Sequence, residues 1–336
     1  MSYDGTLFYL TCEQFKALYL HAANGGRGEA DAFFDRLGYA VNLHHGRYLE
    51  ALNGGIAVLR KCREIDADAY SRIHKGTAFY WLGTAAFWVH DYETATSFYD
   101  AAVSEDLRAG ADALRNPTPA LHFMQIEGEA LDQAARELVC VAQCRIEQEI
   151  CVYNERTGRP KGGPDPTISD VRCRFLRPAL SPDKKGWRSL ATAFISFFIE
   201  RQYRGMLLEL RPAGGSSEPF FLHLFKGCVL FESLLKGNPK EAPTAKPAML
   251  GPMLKQFHVH LGIAKNLGVG DADFGTVLED LANDDGSIQT AIRVTGKIRN
   301  TVGHDLGWVV AIDGNEYERL FRMVASSCLH AIACLY

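Results

Sequence analysis

Residues 77–106 read TAFYWLGTAAFWVHDYETATSFYDAAVSED, and this stretch decides the fold class. Its apolar residues recur at intervals of mostly three and four, which is the period of a helix face. They are Phe79, Leu82, Gly83, Phe87, Tyr92, Ala95, Tyr99 and Ala102. Small residues such as Gly83 and Ala95 allow two helices to approach closely, while Tyr99 and Phe87 fill the space between them. The pattern therefore predicts closely packed helices.

In this order and spacing, residues 77–106 resemble one tetratricopeptide repeat, a helix-turn-helix unit. Residues 46–51 echo residues 90–95, but the two segments lie 44 residues apart (90 minus 46). A regular array of this family has a period of ~34 residues. We therefore predict a short, irregular stack of helical hairpins. A single repeat cannot bury its own faces, so helices predicted at about 11–23, 30–62 and 128–152 must cover it.

Helical patterns also dominate the rest of the chain, and the predicted fold class is all-α. Helices are predicted at 187–209, 217–236, 249–265, 273–283, 286–305 and 314–335. Alternation of apolar and polar residues, which is typical of a strand, is confined to 256–261 and 308–312. These segments are too short to make a sheet. The glycines, prolines and charges of 156–185 predict a linker, and 238–246 is expected to be a surface loop. The predicted domains are accordingly 1–155, a repeat-like sensor or scaffold, and 186–336.

The composition is that of an ordinary globular protein. Of 336 residues, 47% are hydrophobic and 23% charged, which is typical of a folded chain. The net charge of -4 argues against a nucleic-acid binder that uses its whole surface, so any positive field must be local. No run approaches the ~18 apolar residues of a membrane span, and residues 1–15 do not resemble a signal peptide. We expect a cytoplasmic protein that does not enter membranes.

The cysteines predict no metal centre. There are nine of them, scattered and without a Cys-x-x-Cys pair. We expect reduced thiols in the core of a protein from a reducing compartment, and no zinc site.

The strongest candidate for chemistry is Arg299-Asn300-x-x-x-His304. On a helix, Asn300 and His304 are four residues apart and share a face. Arg299 is five residues from His304, about 140° around the axis, so its long side chain or a kink at Gly303 would have to bring the guanidinium to the same cleft. A histidine can exchange a proton with the 2′-hydroxyl or the leaving 5′-oxygen of RNA, and an arginine can grip the phosphate. This chemistry needs no metal or cofactor.

The run Ile298-Arg299-Asn300-x-x-x-His304, between apolar helices, resembles the signature of the HEPN domain family. The resemblance covers about 216–336 and implies a HEPN-like helical bundle. Many members are metal-independent endoribonucleases of toxin-antitoxin, CRISPR and phage-defence systems. It further implies that Arg299 stabilises the scissile phosphate, that His304 acts as general acid or base, and that Asn300 orients the phosphate or the imidazole. Glu232, on the first core helix of this region, would fix Arg299.

The resemblance also implies partners. HEPN nucleases usually pair two motifs across a dimer, so this chain, with one motif, is expected to form a homodimer through its C-terminal domain and to act on RNA. Lys297 and Arg293 would contact the RNA backbone or form a solvated helix face. The N-terminal helices would bind a protein or small-ligand regulator. Residues 238–281, whose prolines include Pro239, Pro243 and Pro247, depart from a minimal bundle.

Two other interpretations stay open. The chain would be a helical adaptor if the bundle only dimerises or binds protein or nucleotide ligands. It would be a repeat-containing interaction module if the Arg-His spacing is coincidental. The aromatic stripe Phe194, Phe197, Phe198 and Tyr203 is expected in the core, with a dimer interface as the alternative, and His258 and His260 are expected to be structural.

Overall fold

The computed structural model describes residues 10–110, 114–129, 131, 133–157, 165–181, 186–210, 216–240, 249–270, 273–304 and 311–336. Within these ranges the regular secondary structure is helical and no strand occurs, so the all-α prediction is confirmed. No helix in the same ranges combines the length and apolar character that a membrane span requires. The chain divides into two compact units, an N-terminal unit, Met1–Cys140, and a C-terminal unit, Val141–Tyr336.

The N-terminal unit is built from short and medium helices. They are α1 (Cys12–Asn24), α2 (Arg27–Asp35), α3 (Gly38–His44), α4 (Tyr48–Ile65), α5 (Ala67–Arg72), α6 (Gly76–Trp88), α7 (Tyr92–Ala109), α8 (Pro119–Gln125) and the beginning of α9 (Gln133–Thr157). Its core contains the fully buried aromatic side chains of Tyr19, Phe34, Tyr99 and Phe123.

Helices α6 and α7 form the predicted pair of closely packed helices. A Cβ atom on Gly83 would lie 2.7 Å from the Tyr99 ring, a separation that real Cβ atoms do not adopt, so only glycine permits this approach. The turn between the helices uses His90 at φ 64°. Asp91 then caps α7, since its side chain accepts a hydrogen bond from the Thr94 backbone N–H at 3.1 Å. The helix-turn-helix is confirmed as a structure, whereas its family resemblance stays a prediction.

The predicted helix at 30–62 is wrong as a single element. The chain forms α2, α3 and α4 in this region, and Gly46 lies between the last two at φ 71°. This left-handed conformation is readily available to glycine, and it ends the helical path. The predicted helix at 249–265 also stops early, at Phe257, and a turn follows in which Gly262 has φ 61°.

The boundary between the two units differs from the predicted one. The division at residues 140 and 141 falls inside helix α9, whereas the sequence placed it in a linker at 156–185. Part of that linker is helical, with α10 (Ile168–Val171), a π-helical turn (Arg172–Leu176) and α11 (Arg177–Ala179). Phe175 and Leu176 in the π-helical turn are completely buried, so the segment belongs to the core of the C-terminal unit.

The remaining helices of the C-terminal unit are α12 (Trp187–Leu210), α13 (Glu218–Lys236), α14 (Leu250–Phe257), α15 (Phe274–Ala282), α16 (Ile288–His304) and α17 (Gly314–Leu335). Phe194, Phe197 and Phe198 are buried as predicted, whereas Tyr203 is only partly buried. Gly227 on α13 allows close packing, because a Cβ there would lie 2.4 Å from the Phe197 ring and 2.6 Å from Val324. Most of the predicted loop at 238–246 lies outside the described residues.

The cysteines only partly follow the expectation of core thiols. Cys62, Cys228 and Cys328 are buried. Five others are exposed, which corrects the prediction for Cys12, Cys140, Cys144, Cys151 and Cys173.

Candidate functional site

Helix α16 carries every residue of the predicted motif. At 100° per residue, Arg293, Lys297, Asn300 and His304 fall within about 60° of one another, whereas Arg299 is directed about 140° from His304. The helix continues through Gly303 to His304. The backbone therefore has no break at Gly303 that would bring the Arg299 and His304 directions together.

The orientation of α16 is fixed by its packing on two neighbouring helices. Thr295 Oγ1, which is buried, lies 2.9 Å from Ser327 Oγ on α17. Near the C-terminal end of α16, Gly303 lies close to Phe225 on α13. A Cβ atom added to Gly303 would be 3.5 Å from the Phe225 ring. These contacts turn residue 299 towards α13, where Glu232 lies.

Arg299 is bound by the buried carboxylate of Glu232. Arg299 Nε donates to Glu232 Oε2 at 2.7 Å, so the contact expected between these two residues is present. The other oxygen, Oε1, accepts from Lys236 Nζ. Burial by itself would raise the pKa of Glu232, which is 5% exposed. The hydrogen bonds from Lys236 and Arg299 and the charges of both outweigh burial and lower that pKa below its ordinary value.

Asn300 is also engaged within the C-terminal unit. Its amide Nδ2 donates to the backbone carbonyl of Val269, and its Oδ1 lies 3.5 Å from Arg299 Nη1. The structure therefore brings Glu232, Arg299 and Asn300 together in one hydrogen-bonded group.

Lys297 and Arg293 form a separate ionic group with Asp280 on α15. Lys297 Nζ lies 2.7 Å and Arg293 Nε 3.2 Å from the same oxygen, Asp280 Oδ2. One carboxylate thus compensates part of two positive charges. The local positive field expected from these residues is smaller than their sequence suggests.

His304 is the last residue of α16, and its side chain lies outside the described part of the chain. The general acid or base role expected of this residue stays a prediction.

The guanidinium of Arg299 is the group best suited to bind an anion. Its side chain is 29% exposed, and Nε is directed to Glu232. Among the described residues, Nη2 bonds to no acceptor, and Nη1 makes only the long contact to Asn300. An arginine held at Nε keeps its two terminal nitrogens for a second, bidentate partner such as a phosphate.

Two charged residues of this region were not singled out in the sequence. Lys236 is four residues from Glu232 on one helix, a spacing that predicts an ion pair. Asp280 lies on a different helix from Lys297 and Arg293, and nothing in the sequence links these positions. Long-range pairing of this kind requires the fold.

No protein-family model, curated protein or solved structure matches this chain. The resemblance of residues 216–336 to the HEPN family therefore stays a prediction. The function of the chain has to be inferred from its own residues.

Proposed function

We propose that this protein is a metal-independent endoribonuclease that cleaves RNA by attack of the 2′-hydroxyl and leaves a 2′,3′-cyclic phosphate. One observation carries the proposal. The partly exposed guanidinium of Arg299 is held at Nε by the buried carboxylate of Glu232, 2.7 Å away. An arginine fixed in this way is prepared to receive the charge that develops on a phosphate in the transition state.

In this mechanism each residue of the group has one task. Arg299 binds the scissile phosphate, and Glu232 positions Arg299. Asn300 keeps the guanidinium in place through its contact with Nη1 at 3.5 Å. His304 removes the proton of the 2′-hydroxyl or gives a proton to the leaving 5′-oxygen.

The proposed active form is a homodimer assembled through the C-terminal domain, so that two copies of Arg299 and His304 line one cleft. Because an unrestrained ribonuclease damages its own cell, the N-terminal helices would bind a protein or small ligand that regulates it. A toxin or phage-defence system is the corresponding biological setting.

The proposal is tested by incubating the purified full chain with labelled single-stranded RNA in EDTA. We expect His304→Ala to lower the cleavage rate by about 10²–10⁴-fold, the usual contribution of a positioned acid-base group. Arg299→Ala should lower it by about 10²–10³-fold, the usual contribution of a group that stabilises transition-state charge. His260→Ala and Arg174→Ala are matched controls on exposed positions and should cleave like the wild type. Cleavage that survives both motif substitutions would contradict the site.

The engagement of Arg299 and Asn300 in internal hydrogen bonds also favours a second candidate, a helical adaptor without catalysis. In an adaptor these bonds stabilise the bundle and the residues do not contact RNA. The adaptor predicts that the wild type neither binds nor cuts RNA. RNA binding by the wild type that is lost in Arg299→Ala and kept in Arg174→Ala would exclude the adaptor.

A further inference from the structure

The N-terminal unit contains a buried ionic cluster that the proposed function does not use. Its centre is His74, in the turn between α5 and α6, which is 5% exposed. Asp106 on α7 is completely buried beside it. Arg27 and Asp31, both on α2, complete the cluster, and their side chains are 24% and 28% exposed. The cluster therefore joins three separate parts of the unit.

The imidazole of His74 has a carboxylate at each nitrogen. Nδ1 lies 3.4 Å from Asp31 Oδ1, and Nε2 lies 3.3 Å from Asp106 Oδ1. The ring lies directly against the Gly76 backbone. A Cβ atom added to Gly76 would be only 2.5 Å from the Cε1 atom of His74. The ring therefore has little freedom to turn away from either carboxylate.

The carboxylates are themselves fixed by neighbouring donors. Asp106 Oδ2 accepts hydrogen bonds from both the backbone N–H and the hydroxyl of Thr118, each at 2.8 Å. Asp31 Oδ1 accepts from the Thr77 hydroxyl at 2.8 Å. Arg27 contacts both acids, with Nε 3.3 Å from Asp31 Oδ2 and Nη2 3.4 Å from Asp106 Oδ1.

Only the protonated form of His74 suits this arrangement. An ionised carboxylate accepts hydrogen bonds and donates none, and a neutral imidazole has a single N–H. A neutral His74 would therefore turn one lone pair towards a carboxylate oxygen. The imidazolium carries a proton on each nitrogen, so that an N–H faces a carboxylate oxygen on both sides at 3.3–3.4 Å. Together with Arg27 it balances the charges of Asp31 and Asp106.

The competing electrostatic effects on His74 have a clear outcome. Burial lowers the pKa of His74, but the hydrogen bonds and charge of Asp106 and Asp31 outweigh burial and the repulsion of Arg27, so that the pKa lies above its ordinary value. The neighbouring charges of Lys75 and Arg108 are directed to Glu105, at 3.3 and 2.6 Å.

We propose that His74 is a proton-dependent latch that ties α2 to the α6–α7 pair while it is protonated and loosens α2 when it loses its proton. Because the folded-state pKa is raised, the stabilisation is complete below the pKa of about 6.5 that a solvent-exposed histidine has. It is lost as the pH rises through the folded-state value. Among the described residues, deprotonation leaves Arg27 as the one positive charge in contact with Asp31 and Asp106, in a site where His74 and Asp106 are buried.

The first test measures the titration of His74 itself in the full chain. The chain has 11 histidines, and the NMR resonances of the His74 ring are assigned through their bonds to the assigned His74 backbone, with His74→Gln as a check. We expect a titration midpoint above 6.5. A midpoint at or below 6.5, or a ring that stays neutral at pH 6, overturns the proposal.

The second test measures hydrogen exchange of the α2 backbone amides at several pH values, after correction for the intrinsic exchange rate. The wild type should lose protection about tenfold per pH unit between 6.5 and the midpoint of His74. His74→Gln should lose this dependence, whereas His45→Gln, an exposed histidine of the same unit, should keep it. Equal dependence in wild type and His74→Gln overturns the latch.

A third variant keeps the proposal testable if His74→Gln does not fold. Asp31→Asn removes one carboxylate from the imidazole and leaves the histidine in place. The midpoint of His74 should then fall, and the pH range in which α2 loses protection should fall with it. An unchanged midpoint in Asp31→Asn contradicts the proposed role of Asp31.

Discussion

Glu232 is the residue on which the arrangement of the candidate site depends. It is 5% exposed, and an isolated buried carboxylate would be strongly unfavourable. Arg299 and Lys236 each bind one of its oxygens, which makes the buried charge tolerable. The Glu232 carboxylate therefore contributes both to the stability of the fold and to the position of the Arg299 guanidinium.

Replacing Glu232 by Ala should lower the free energy of unfolding by about 1–3 kcal/mol, because it removes a hydrogen-bonded buried group while Arg299 regains some contact with water. Urea denaturation of the wild type and the variant measures this difference. Glu279→Ala, at an exposed position of α15, should change stability by less than about 0.5 kcal/mol. Equal effects of the two substitutions would contradict the structural role of Glu232.

The pKa of Glu232 predicts a dependence of stability on acid. Since the folded-state pKa is lowered, the stabilisation is complete above the ordinary glutamate value of about 4.3 and is lost as the pH falls through the folded-state value. The difference in urea midpoint between the wild type and Glu232→Gln should therefore be largest near neutral pH and shrink below about pH 4. A difference that stays constant down to pH 3 would exclude this origin.

At the scale of elements, two glycines in helix interiors have opposite packing. A Cβ on Gly227 of α13 meets the Phe197 ring and Val324 at 2.4 and 2.6 Å, whereas a Cβ on Gly205 of α12 meets no atom of the described residues within 4 Å. The first glycine is required by the approach of neighbouring side chains. The second has no such requirement.

We expect Gly227→Ala to destabilise the protein by about 1–3 kcal/mol through overpacking. Gly205→Ala should stabilise it by about 0.5–1 kcal/mol, because alanine is the better helix former. Thermal unfolding of both variants tests the pair. A neutral Gly227→Ala would mean that Phe197 and Val324 move aside without cost.

The elements that the sequence predicted best are those with strong periodicity. The spacing from Phe79 to Ala102 predicted α6 and α7, and the long apolar patterns predicted α12, α13, α16 and α17 to within two residues at each end. The residues that break helices were harder to interpret. Gly46 divides α3 from α4 because of its positive φ, and the prolines around 156–185 obscured the partly buried helical segment at 168–179.

The candidate site was predictable only in part, for a related reason. Residues on one helix, such as Glu232 and Lys236, have a contact fixed by their spacing. The contacts of Lys297 with Asp280 and of Asn300 with the carbonyl of Val269 join different elements. Their partners follow from tertiary packing, which a single sequence does not specify.

At the scale of the whole molecule, the C-terminal unit depends on residues that precede the predicted domain start at 186. Tyr153 on α9 is buried, and its hydroxyl lies 2.8 Å from His330 Nδ1 on α17. The Phe175 ring packs against two aromatic rings. Its centroid lies 5.6 Å from that of Phe194 and 5.4 Å from that of Tyr336. The unit is therefore incomplete without 141–181.

We expect a fragment of residues 133–336 to unfold cooperatively and a fragment of residues 186–336 to lack a cooperative transition. The shorter fragment loses several large buried side chains, each contributing about 1.5–3 kcal/mol. That sum is comparable to the total stability of a domain, about 5–15 kcal/mol. Urea titrations followed by circular dichroism distinguish the fragments, and equal stability of the two would contradict the observed division.

The position of the division inside helix α9 has a consequence for inheritance. Recombination within a linker can exchange whole domains between genes and leave each product able to fold. A crossover at residues 140 and 141 would instead leave only residues 133–140 of the helix on one side, far below the ~12–15 residues at which even favourable isolated helices become stable. Residues 133–140 are therefore expected to keep their helical form only in a chain that continues as a helix past residue 140.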